Sequence, residues 1–270
     1  MSLGLRLTAA AIAVRNSRFV GGFDTDYQAI LDQASSLGYA VPSSGQQTLQ
    51  NTLVTDLKEA GVWDKLDLFY VFATDGDSDY ATLNWKTPAS FQATKVSSPT
   101  FTSNQGFQGD GVGSYLDTNF NPKTHSTASS QYSMGAGGYH FQKPTSTYDN
   151  IIGGDSGSND LLVATKFTTE QPFFRVNDAS SFRPSFVTTT GFYGVSRSAV
   201  NRIDAIFPDG TTDSSSNAAN AGLPNANLWI LKWNPAVNSN AEISVAFYGG
   251  DVTSELSDFK TAVDNYIAGL

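Results

Sequence analysis

The sequence predicts a mainly β protein, a sandwich preceded by two short helices and closed by a third. Three observations lead there. From residue 68 to about 249 the 270-residue chain breaks into short apolar and aromatic runs separated by Gly, Asn and Asp turns, the habit of sandwiches rather than of parallel α/β sheets. Only 15% of residues are charged against 12% aromatic, so the solvated surface must be largely Ser, Thr, Asn, Gln and Gly. Apolar residues at helical spacing are confined to the two ends.

At the first end, DTDYQAILDQASSL (24–37) sets Tyr27, Ile30, Leu31 and Ala34 on one face, behind acidic residues that suit a helix N-terminus, and Gly38 stops it. A second helix follows Pro42: Ser44 and Gln47 have capping-box spacing, and Leu49, Leu53, Val54, Leu57 and Ala60 form a stripe up to Gly61. LFYVFAT (68–74) is then a continuous apolar run of strand length. Further strands are expected at 105–108, 114–118, 130–141, 150–153, 160–167, 172–176, 191–196, 202–207, 227–233 and 243–248, with Asp209-Gly210 as a hairpin turn. At the far end Leu256, Phe259, Val263, Tyr266 and Ile267 mark the closing helix, with Thr253 placed to cap it.

Charge and composition exclude several classes of function. A net charge of −9 argues against nucleic acid as a partner, because phosphate binding needs clustered Lys and Arg. The absence of cysteine removes disulfides and thiolate sites. No run approaches the ~20 apolar residues of a membrane span. Arg6 ahead of the short apolar run Leu7–Val14 has the outline of an export signal, but Arg15 and Arg18 follow at once without a convincing cleavage site. Residues 1–23 are therefore expected to be a basic docking arm.

Chemistry is sparse. His125 and His140 lack the spacing of a zinc site. GDSGS (154–158) reads as a Gly-rich turn, without the partners a nucleophilic serine needs. The four glutamates, Glu59, Glu170, Glu242 and Glu255, do not form the closely spaced E-x-D-x-x-E strand pattern of sandwich glucanases. From this the sequence predicts no catalytic residue and no enzyme. Asp75, Asp77 and Asp79 copy the first half of a calcium loop, but Tyr80 and Lys86 stand where an EF-hand needs Gly and Glu. What survives is a looser Ca²⁺ site at those three aspartates; no other cofactor is expected. Tyr139, Tyr148, Phe192, Tyr193 and Trp229 could form a sugar platform, with Tyr148 and Tyr193 as the ligand candidates, though strand aromatics more often belong to a core.

GFQGDGVGSYLDTNFNP (106–122) resembles a segment of tailed-bacteriophage structural proteins that carry a concanavalin A-like (LamG-like) sandwich. TLVTDLKEAGVWDKLDLFYVFA, IDAIFPDGTTDSSSNAANAGLPNANLWIL and VAFYGGDVTSELSDFKTAVDNYI extend the resemblance over most of residues 48–270. It implies a concanavalin A-like jelly roll at 63–270, a helical linker or assembly region at 24–62, and a virion location. It further implies a non-enzymatic capsid-surface, head-fibre or tail-associated subunit, docked to other virion proteins by its N-terminal arm and self-associated. The alternative is a carbohydrate-binding, receptor-recognising module that grips host glycans with loops at 139–149, 178–193 and 213–227. Within the first segment Gly109, Gly111 and Gly113 are expected to permit a tight corner, Asp110 and Asp117 to accept turn amides, Tyr115 and Asp117 to face away from Leu116, and Asn121-Pro122 to end the strand.

Overall fold

A computed structural model describes residues 22–142, 145, 147–157, 159–178, 180–216 and 222–270. The docking arm expected at 1–23 lies outside them except for Gly22 and Phe23, as do parts of the three proposed binding loops.

Helices α1 (Thr25–Leu37) and α2 (Ser44–Glu59) come first, followed by β1 (Leu66–Val71), β2 (Thr94–Val96), β3 (Thr100–Thr102), β4 (Gly106–Gln108) and β5 (Tyr115–Asp117). A one-turn helix α3 (Pro122–His125) precedes β6 (Met134–Gln142), β7 (Tyr148–Gly154), β8 (Leu161–Phe167), β9 (Phe173–Val176), β10 (Gly191–Ala199), β11 (Arg202–Ile206) and β12 (Thr212–Ser215). The chain ends with β13 (Trp229–Ile230), β14 (Lys232–Asn234), β15 (Val237–Asn238), β16 (Glu242–Gly249) and α4 (Leu256–Ala268). An eight-stranded sheet runs β12-β11-β10-β6-β16-β4-β3, with β1 also paired to β16; a six-stranded sheet runs β2-β5-β13-β7-β8-β9. Every pairing is antiparallel, which makes the mainly β sandwich with two leading helices and a closing one the fold of the chain.

Two cores explain the strand sequences. Leu68, Tyr70, Phe107, Leu116, Ile151, Val163, Phe174, Tyr193, Ile230 and Tyr248 fill the space between the sheets. The other side of the eight-stranded sheet offers Phe69, Val71, Phe192, Val245 and Phe247 to Tyr27, Ile30, Leu53, Leu57, Phe259 and Val263 of α1, α2 and α4. A strand with both faces covered reads as a near-continuous apolar run, as β1 does from Leu68 and β16 from Val245, rather than as an alternation. The boundary drawn at 62/63 thus falls inside one shared core.

Several local expectations shift. The cap of α2 is Ser43, one residue earlier than expected; its Oγ accepts the amide of Gln46 at 3.4 Å, and the Gln47 side chain turns back to the Pro42 carbonyl at 2.7 Å. Thr253 opens a short 3₁₀ turn instead of capping α4; the carboxylate that receives its amide, at 2.9 Å, is Asp251. The 227–233 strand divides into β13 and β14 at Leu231, where φ is +69°. The Asp209-Gly210 hairpin forms between β11 and β12, with Gly210 at φ +83°.

At the β4–β5 corner, Asp110 Oδ1 accepts the amides of Val112, Gly113 and Ser114 at 2.8, 2.8 and 2.9 Å. Those bonds, led by the one from Ser114, hold its carboxyl well below the usual carboxylate range. Two of the three glycines are required. Gly111 has φ +74°, and a Cβ at Gly109 would lie 2.0 Å from the Ser239 carbonyl oxygen. Gly113 has neither constraint, so a Cβ there would meet open space, provided the residue keeps the amide that Asp110 accepts.

Candidate functional site

The helices roof the outer side of the eight-stranded sheet, whereas the outer side of the six-stranded sheet is covered in part by a hairpin and is part-exposed at Tyr115, Asp117, Tyr148, Phe167, Arg175 and Trp229. Strand alternation decides what it shows. On β5, Leu116 points into the core while Tyr115 and Asp117 point out; on β13, Ile230 points in and Trp229 out; on β8 and β9, Leu162, Ala164, Phe173 and Arg175 are turned away from the sandwich core. The β14–β15 hairpin folds onto this side over β7. Gly153 makes that approach possible, since a Cβ there would stand 3.0 Å from the Trp233 Cα. Trp233 packs down on Leu162, Ala164 and Phe173, and the hairpin divides the face into two aromatic patches.

In the first patch the half-buried rings of Tyr115 and Trp229 meet edge to face at 5.5 Å. Asp117 fixes them from the side: Oδ2 accepts the indole N–H of Trp229 at 3.2 Å, and Oδ1 accepts Asn227 Nδ2 at 3.1 Å and the Asn119 amide at 2.8 Å. Burial, then the Asp117 charge, raises the Tyr115 phenol above its ordinary pKa, so it remains a neutral donor. Lys232 Nζ lies 4.1 Å from the Tyr115 ring centre and 5.2 Å from that of Trp229. In the second patch Phe167 and Phe173 stack at 4.4 Å, Tyr148 leans on Phe167 at 5.0 Å, and the Arg183 guanidinium sits 4.4 Å above Phe173. Arg175 stacks on Trp233 at 4.9 Å while paired with Asp160. Phe173 and Trp233 are buried beneath these groups, but the part-exposed rings of Tyr115, Trp229, Tyr148 and Phe167, with polar groups at their rims, can stack on the C–H face of a sugar and bind its hydroxyls.

The expected site residues separate sharply. Tyr148 and Trp229 do lie on this one face. Tyr193 does not: it is fully buried between the sheets, and its hydroxyl donates to the Thr189 carbonyl at 2.8 Å and accepts the Thr189 amide at 3.0 Å. Phe192 is buried in the helix-side core, and Tyr139 packs against it. The three aspartates are taken up by separate partners. Asp75 accepts the Ser43 amide at 3.0 Å, Asp77 accepts the amides of Ala40, Asp79 and Tyr80, and Asp79 pairs with Lys95 at 2.6 Å. They fasten a turn to the loop between α1 and α2, and among the described residues no three His, Asp or Glu side chains converge on one point for a metal ion. Sequence reasoning missed Lys232 and Arg183 altogether; neither has any spacing that links it to a distant ring.

No protein-family model and no curated protein matches the chain. Among solved structures it is similar to a Trypanosoma rangeli sialidase, at 8% identity over 81% of this chain and 39% of that one, with a TM-score of 0.45. It is also similar to domain 4 of AbnA, a GH43 extracellular arabinanase from Geobacillus stearothermophilus in complex with arabinotriose, at 11% identity, 73% and 98% coverage and a TM-score of 0.44. A GH54 α-L-arabinofuranosidase shares 11% identity over 65% of this chain and 43% of its own, with a TM-score of 0.42. The chain thus spans about two fifths of the sialidase. These likenesses concern the fold. They correct one expectation: β-sandwich structures of glycosidases stand among those the chain resembles, so the missing E-x-D-x-x-E pattern does not place it outside the enzymes.

Proposed function

We propose that the chain is a carbohydrate-binding module that grips polysaccharide on the outer face of the six-stranded sheet. The observation that carries this reading is the Tyr115–Trp229 pair, part-exposed side by side on a sheet face, with the indole held in place by Asp117 and a lysine standing over both rings. Exposed aromatics cost solvation, and side chains that pin them in one orientation make them ready to stack on a ligand. We propose further that the module is displayed on a tailed-phage particle. Support for the particle setting comes from the sequence resemblance, whose segments fall on the β4–β5 corner, the β11–β12 hairpin and the β16–α4 closure.

The test is retention of the full chain on an array of neutral and acidic oligosaccharides. Trp229→Ala and Tyr115→Ala are each expected to cut retention roughly tenfold or more, as removal of a central aromatic anchor does. Tyr193→Phe, inside the core, should leave retention unchanged. An array on which no oligosaccharide is retained overturns the reading.

A further inference from the structure

Two cations stand on the rings of this face without a carboxylate. Lys232 lies over Tyr115 and Arg183 over Phe173, and among the described residues neither pairs with an acid, whereas Lys166 and Arg175 on the same sheet are matched to Glu170 and Asp160. Tyr115 is part-exposed and Phe173 lies buried beneath the exposed Arg183 and its other neighbours; a cation over a ring at the surface gains only about 0.5–1 kcal/mol. It also occupies the surface a neutral sugar would use, so such a sugar must first displace it. A sugar carrying a carboxylate need not: the cation moves from the ring to the acid and the ring is freed for stacking.

We infer that the glycan taken by this face is anionic, a carboxylate-bearing polysaccharide whose acid groups are received by Lys232 on one side of the β14–β15 hairpin and Arg183 on the other; this rests on the glycan-binding reading. Asp117 keeps its charge beside Tyr115, but its two oxygens are turned to the neutral donors of Trp229, Asn227 and Asn119 and not to Lys232, whose ammonium is left to receive the ligand's acid. With an overall charge of −9, an acidic polymer is held off much of the folded surface, which favours a face where two cations stand without a carboxylate.

The experiment repeats the array with each acidic oligosaccharide beside its carboxyl methyl ester, for the full chain and for Lys232→Gln and Arg183→Gln. Esterification is expected to lower retention roughly tenfold, and each variant to lose about tenfold on the acidic forms with an unchanged melting temperature. Raising NaCl to about 0.5 M should weaken the acidic forms selectively. Equal retention of acid and ester, or variants that bind the acid as the parent does, overturns the anionic assignment and leaves glycan binding standing. No retention of any oligosaccharide ends both.

Discussion

His140 and Asp149 form a pair with no exposed surface, joining β6 to β7 across the sandwich: His140 Nε2 is 2.8 Å from Asp149 Oδ2 and 2.7 Å from the Gln142 carbonyl oxygen. The Thr165 hydroxyl donates to the same carboxylate oxygen. Burial opposes the charged imidazole, but the Asp149 charge and these acceptors outweigh it, and the His140 pKa is raised. The sign follows from linkage. A raised histidine contributes stability fully present below its unfolded value of about 6.5, and lost as pH climbs through the higher folded value. Urea midpoints of the parent should therefore fall as pH is raised above neutrality. His140→Gln should begin about 3 kcal/mol less stable, the order of cost for breaking a buried pair, and show little slope in that window. An equal slope in parent and variant would place the titrating group elsewhere.

At the scale of elements, one amide joins three helices to the sheet. Gln50, fully buried on α2, accepts the hydroxyls of Tyr27 on α1 at 2.9 Å and Tyr80 at 2.7 Å, and donates to Thr74 and to Tyr266 of α4, each at 3.2 Å. Burial raises all three phenols, so they stay protonated as donors, and the Tyr266 hydroxyl donates a hydrogen bond to the Ala73 carbonyl at 2.6 Å. Gln50→Leu removes the acceptor of two buried hydroxyls at once. We expect a loss of about 2–4 kcal/mol in urea unfolding with unchanged m-value, against less than about 0.5 kcal/mol for Thr48→Ala on the exposed side of α2. A Gln50→Leu cost as small as that of Thr48→Ala would show the network to be water-accessible.

The same arrangement explains what the sequence could and could not reveal. Period and turn chemistry locate most strands, both leading helices and the outward turn of Tyr115 and Asp117, because these depend on residues a few positions apart. They fail at β10, where Phe192 and Tyr193 look like a possible exposed platform: with helices on one side and the second sheet on the other, both alternating faces are inside. The short edge strands β2 and β3 also escape notice, since TKV and TFT carry almost no apolar pattern and are held by pairing to β5 and β4. The candidate site is half legible for a similar reason. Trp229 and Tyr148 stand out by type, but Lys232 and Arg183 reach their rings only through a hairpin and a loop folded across the sheet.

For the whole molecule, the folded unit closes upon itself at Asp24. The Asp24 amide donates to Asn51 at 2.7 Å, and its carboxylate accepts the Asp26 amide at 2.9 Å and Lys58 Nζ at 2.6 Å, so α1 is capped and tied to α2 from within. Among the described residues, every buried member of the two cores lies beyond that point, with the part-buried Phe23 packed against the helix-side core. Residues 1–21 hold Arg6, Arg15 and Arg18 and no acid; without these three positive charges the net charge moves from −9 to −12. A protein beginning at Gly22 is therefore expected to keep the parent's melting temperature and its retention on glycans. If the arm is the attachment to a phage particle, only the full chain should co-sediment with particles lacking this protein, and its association should weaken as salt screens the arginines. Equal sedimentation of both forms would move attachment onto the folded unit. If neither form sediments while both bind glycan, the module works without the virion setting, and the sheet face alone remains as the basis of its function.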